Sequence, residues 1–174
     1  DASGHETPGP SLLCQWRDSC RDFLCHLYAY ATVSNDTLTK LVEELQRLKI
    51  QRIYEVGAGT GYWALLLRDK GLVVQATDIA PTSTKSNEYH GCVPPFGTVS
   101  TSAQLPESSD VLLLCYPPPN NMAFSVLKGY SGEILIHVGE WQGLTGNTAL
   151  EGHLLTHYRI LCRLPCERWG TDCA

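Results

Sequence analysis

Apolar positions along the chain change their period several times, and each change marks an element. Leu12, Leu13, Trp16, Cys20, Phe23, Leu24 and Leu27 recur at helical spacing, which predicts a first amphipathic helix ending at Tyr28-Ala-Tyr30. A second helix follows, with Leu38, Leu41, Val42, Leu45 and Leu48 on its apolar face and Asn35 or Asp36 as its cap. The pattern then shortens to strand-like runs at Ile53 to Val56, Val73 to Thr77, Gly97 to Ser100, Asp110 to Tyr116, Gly132 to Glu140 and Tyr158 to Leu164. Helical stretches open after Gly61, at Met122 and at Thr145. The run D-V-L-L-L-C-Y from Asp110 is apolar almost throughout, as expected of a strand covered on both faces. Strands alternating with helices predict an α/β fold, a doubly wound and mostly parallel sheet with helices on both faces. Residues 1–10 lack periodicity and read as a mobile tail. That leaves N-terminal helices over 11–49 and the α/β domain over 50–174, together one structural unit.

Candidate chemistry concentrates where the first strand ends. I-Y-E-V-G-A-G-T-G-Y-W, from Ile53, is a short strand, a turn with Gly57, Gly59 and Gly61, and the start of a helix. Glycines permit a sharp turn and let a ligand approach without meeting a Cβ, while a helix N-terminus offers N–H groups. The dinucleotide fingerprint needs a glycine where Tyr62 stands, and no G-K-[ST] follows for a P-loop. Asp78 closes the second strand about 20 residues further on, where a β-α-β unit places a carboxylate for ribose hydroxyls. His90, in a polar loop that follows, is a candidate general base or substrate hydrogen-bonder. Glu140, at the end of the fifth strand, is an acid/base candidate, with capping as its plainer role.

Glu55, Gly57, Gly59 and Gly61 match E/D-x-G-x-G-x-G, and the chain resembles class I S-adenosylmethionine-dependent methyltransferases over roughly residues 28 to 172. It is most similar to methyltransferase-like proteins carrying E-x-G-A-G-T-G-Y-W, a Pro-Pro loop and V-G-E. The resemblance implies a Rossmann-like fold and S-adenosylmethionine as cofactor, with Glu55, the three glycines, Asp78 and Ile79 among the residues that hold it. It adds Tyr30, an aromatic residue just before the core fold, and Ser102, which stands where the family places an acidic residue for the adenine amino group. Tyr116-Pro117-Pro118-Pro119 resembles the N-P-P-Y loop of amino-methyltransferases with an aromatic ring in place of the amide. Tyr116 is therefore expected to touch cofactor and to stack on or shield substrate, which turns the expectation away from base amino groups. The family's last, antiparallel strand is expected to be clipped or missing, because only Glu167 to Ala174 remain for it. The implied activity is methyl transfer to a small-molecule or protein nucleophile. Ser102 and Tyr116 leave room for a non-catalytic cofactor-binding or scaffold module.

Composition narrows the partners. The 174 residues suit one domain, and a net charge of -5 with 13 Lys+Arg argues against a nucleic-acid substrate. No apolar run approaches membrane-spanning length and the N-terminus lacks signal-peptide features, so a soluble cytoplasmic protein is expected. Of the eight cysteines, Cys14, Cys20, Cys25 and Cys115 sit where free buried thiols usually lie. Cys162, Cys166 and Cys173 lack a C-x2-C pair, so no metal is expected there. His137 and His153 lie inside elements without metal-like spacing and read as packing or surface residues.

Overall fold

A computed structural model describes residues 11–82, 86–101 and 111–166. The expected tail over 1–10, Ser102 and the stub from Glu167 onward lie outside the described residues. Five strands form one sheet: β1 (Arg52–Val56), β2 (Val73–Thr77), β3 (Val99–Ser100), β4 (Val111–Cys115) and β5 (Leu135–Val138). Their order is β3-β2-β1-β4-β5 and every pairing is parallel. The expected α/β sheet is there, and it is wholly parallel among the described residues.

Alternation along β4 divides the core. Val111 and Leu113 join Ile53 of β1, Val74 and Ala76 of β2, and helices α3 (Asn35–Arg47) and α4 (Tyr62–Asp69). Leu112 and Leu114 point the other way and meet α5 (Met122–Gly129) and α6 (Thr148–His157). Leu112, Leu113 and Leu114 are each fully buried, and burying a leucine contributes about 1.5–3 kcal/mol, so this run holds both layers together. With helices on both faces the architecture is Rossmann-like. The order reverses direction between β1 and β4, and a crevice opens there above the strands' C-terminal ends.

Several local expectations change. The cap of α3 is Ser34, whose hydroxyl accepts from Thr37 N at 3.2 Å, rather than Asn35 or Asp36. The first helix runs as α1 (Leu12–Trp16), a π-helical turn (Arg17–Arg21) and α2 (Asp22–Leu27). Much of its apolar stripe does not face the domain: Leu12, Trp16, Cys20 and Phe23 are exposed, Leu24 and Leu27 are half-buried, and among its described side chains only Arg21 and Cys25 are buried. The sixth strand expected from Tyr158 to Leu164 does not form. Tyr158 packs on the α5–α6 side, while Cys166 reaches the core on the α3–α4 side and the Pro165 carbonyl accepts from Thr37 Oγ1 at 2.8 Å. A segment crossing from one face to the other leaves the plane of the sheet, so it cannot hold a ladder beside β5. Among the described residues, no helix is long and apolar enough to cross a membrane.

Candidate functional site

The turn after β1 consumes its own donors. Gly57 N and Ala58 N donate to Thr77 O at 2.9 and 3.0 Å, Gly59 N to Asp78 Oδ2 at 2.9 Å, and Gly61 N to Ala58 O at 2.8 Å. Nor does the missing Cβ of Gly59 leave open space. At φ +53°, a Cβ there would stand 2.5 Å from His90 Nε2, so the imidazole fills that position; at Gly61 the neighbour is Val99 of β3, at 2.7 Å. The glycines thus admit protein side chains, where the sequence suggested a direct approach by ligand. A turn with these N–H groups already bonded is poorly suited to phosphate.

Two carboxyls lie beside this turn. Glu55 is 1% exposed on β1; burial pushes its pKa up to about 8, against the opposing pull of the Arg68 charge and a hydrogen bond from the Ala64 backbone at the start of α4. Its Oε2 has no hydrogen-bond partner. Asp78 is buried at the end of β2 and accepts from Gly59 N, from Ala80 N at 2.8 Å and from Asn87 Nδ2 at 3.2 Å. Asn87 also donates to Ala80 O and accepts from the backbone of Tyr89 and His90. This knot ties the loop over 86–91 to Asp78.

The knot fixes His90. Its Nδ1 lies 3.0 Å from the His26 carbonyl, which can only accept, so Nδ1 carries the proton. Burial lowers the His90 pKa, more than the contact with the carbonyl raises it, so the ring is neutral at pH 7 with a lone pair on Nε2. Tyr30 stands over this ring at 5.8 Å and stacks on Tyr116 at 5.8 Å and 20°. The chain before α3 is held in place by Thr60 Oγ1, which donates to Tyr28 O, and by Trp63 Nε1, which donates to Ala31 O at 2.9 Å. Tyr116 has φ +46°, a left-handed conformation costly for an aromatic residue, at the point where β4 turns into the prolines.

These groups enclose a cavity of about 1020 Å³ at the switch point. Glu55, Gly57, Gly59, Asp78, Ile79, Tyr30, His90 and Tyr116, all expected from the sequence, line it, with Ile79 89% exposed at its rim. Gly61 lies behind the wall. Glu140 is not part of the wall either; its Oε2 accepts from Leu144 N at 3.0 Å and closes the turn after β5. The described lining contains three carboxyls, Glu55, Asp78 and Glu88, and no lysine or arginine. Asn87, Tyr89 and Tyr28 also line it, and only Asn87 had a legible signal, the Asn-x-Tyr-His-Gly turn signature. Among the described residues, no group of three or more His, Cys, Asp or Glu side chains could hold a metal ion. No family model, curated protein or solved structure matches the chain.

Proposed function

We propose that the protein is an S-adenosylmethionine-dependent methyltransferase acting on a small-molecule or protein nucleophile. The observation that carries this reading is the make-up of the cavity wall: the ionisable carboxylates Asp78 and Glu88 and the neutral carboxyl of Glu55, with no lysine or arginine among the described lining residues, beside a turn in which the N–H groups of Gly57, Ala58, Gly59 and Gly61 are internally bonded. Such a wall disfavours the pyrophosphate of a dinucleotide and suits a cationic, phosphate-free nucleoside. The unpartnered Oε2 of the neutral Glu55 carboxyl can accept from an ammonium group, and Asp78, with one acceptor site beyond its three protein donors, can take a ribose hydroxyl. When bound, the cofactor supplies a methyl group already activated on a sulfonium, so little acid–base machinery is required. Tyr30 and Tyr116 exclude water and offer ring faces to a cation. His90 Nε2 can take the proton of an acceptor hydroxyl or amine.

A binding module is the second reading, favoured by the removal of Glu140 from the wall, which leaves His90 as the one neutral base of the candidate set. The discriminating experiment is a thermal-shift screen. S-adenosylmethionine and S-adenosylhomocysteine should stabilise the protein by about 2.7 kcal/mol at about 100 times their dissociation constants, and NAD should not. Asp78→Ala should lower affinity for S-adenosylhomocysteine at least roughly tenfold with the fold intact by circular dichroism. Stabilisation by NAD alone would overturn the assignment. Cofactor binding without transfer to amine, hydroxyl, thiol or carboxylate acceptors would favour the module.

A further inference from the structure

The Leu12–Leu27 helix presents apolar side chains to solvent: Leu12 is 84% exposed, Phe23 60% and Trp16 38%, with Cys20 exposed between them. Spaced by three and four residues, they make one stripe, and such a stripe on a soluble domain marks an interaction surface. Its order is self-complementary. When the helix is laid antiparallel on itself, Leu12 meets Leu27, Trp16 meets Phe23, Arg17 meets Asp22, and Cys20 falls next to the twofold axis. An isologous interface requires this property, since each residue must find its complement on an identical surface.

We propose that this helix is a homodimerisation surface, packing antiparallel against the same helix of a second copy about a twofold axis. The π-helical turn lies in the middle of the contact and turns Arg21 inward, where its side chain is 10% exposed and paired with Asp22 at 2.9 Å, while Cys20 remains outside. Arg17 and Asp22 flank the stripe with side chains 48% and 43% exposed, so both can reach across. A bilayer surface is the other occupant such a stripe could have, and charge disfavours it. The helix balances Arg17 and Arg21 with Asp18 and Asp22 and has no lysine, whereas interfacial helices carry a basic polar face. At about 24 Å long the helix is a small contact, so the dimer is weak and concentration-dependent.

Sedimentation velocity over a wide concentration range should show a reversible monomer–dimer equilibrium. Trp16→Glu combined with Phe23→Glu should weaken association roughly tenfold or more. Arg17→Asp and Asp22→Arg should each weaken it, and the two together should restore it, a rescue that mere loss of helix structure would not give. A short bis-maleimide should link Cys20 to Cys20 of a second copy, mapped by peptide mass spectrometry. A monomer at every concentration, a dimer indifferent to both sets of substitutions, or co-sedimentation with phosphatidylserine vesicles in place of dimerisation would overturn the proposal. The charge-reversal set keeps the test decisive if the double glutamate variant fails to fold.

Discussion

At Glu55 the chain places a carboxyl where water cannot reach it, and the consequence is measurable as a pH dependence. Folded, the group keeps its proton to about pH 8; unfolded, it releases it near 4.5. Between those values the native state binds more protons, so stability falls as pH rises, by an amount on the order of a few kcal/mol. The benefit is complete below about 4.5 and is lost through about 8. Arg68 opposes this shift and Asp78 adds to it. His90 acts in the opposite direction: held neutral by burial, it costs stability as pH falls below its unfolded value of 6.5. Glu55→Gln, close in shape and uncharged, should flatten the melting temperature across pH 5 to 8 while leaving the loss on the acid side. A parent-like decline in that variant would show that Glu55 is already ionised in the native state.

At the level of elements, α3 is held by bonds at its first turn. Ser34 caps its first turn, and Thr37 in that turn donates twice: its N–H to Ser34 Oγ at 3.2 Å and its hydroxyl to the Pro165 carbonyl. Ser34→Ala should cost about 1 kcal/mol, the usual worth of a cap, measured by urea denaturation. Thr37→Val removes the bond to Pro165, so amide exchange and proteolysis should rise across residues 158–166 ahead of the sheet. Equal protection in variant and parent would mean that the packing of Tyr158 and Cys166 anchors the segment without this bond.

On the scale of the whole molecule, the cavity wall comes from segments far apart in sequence: the chain before α3, the turn after β1, the loop tied by Asn87 and the bend at Tyr116. A ligand that bridges them should order all four together. Hydrogen exchange with S-adenosylhomocysteine should therefore slow at 28–31, 57–61, 86–91 and 116–121, with α6 and the Leu12–Leu27 helix unchanged. Protection confined to one segment would argue for a smaller ligand than a nucleoside.

Much of this was legible in the chain itself, because a repeating apolar period states which positions can be buried. The continuous run over β4, the helical faces of α3 and α4, and the glycine turn followed by Asp78 placed the sheet and its helices, while the strand order that sets the switch point came only from the structure. What the period cannot state is what will cover a face. Trp16, Cys20 and Phe23 obey the helical rule and stay exposed, and Ile160 and Leu161 read as strand yet form none, since a ladder needs a partner edge in the same plane. The chain also does not reveal what fills a missing Cβ: Gly59 looks open to a ligand and is occupied by His90, 31 positions away. Glu140 shares the C-terminal edge of the sheet with Asp78 but follows β5, and the turn that closes on its carboxylate keeps it out of the cavity. Local order is encoded by neighbours in sequence, whereas contact between distant segments is decided only when the sheet brings them together.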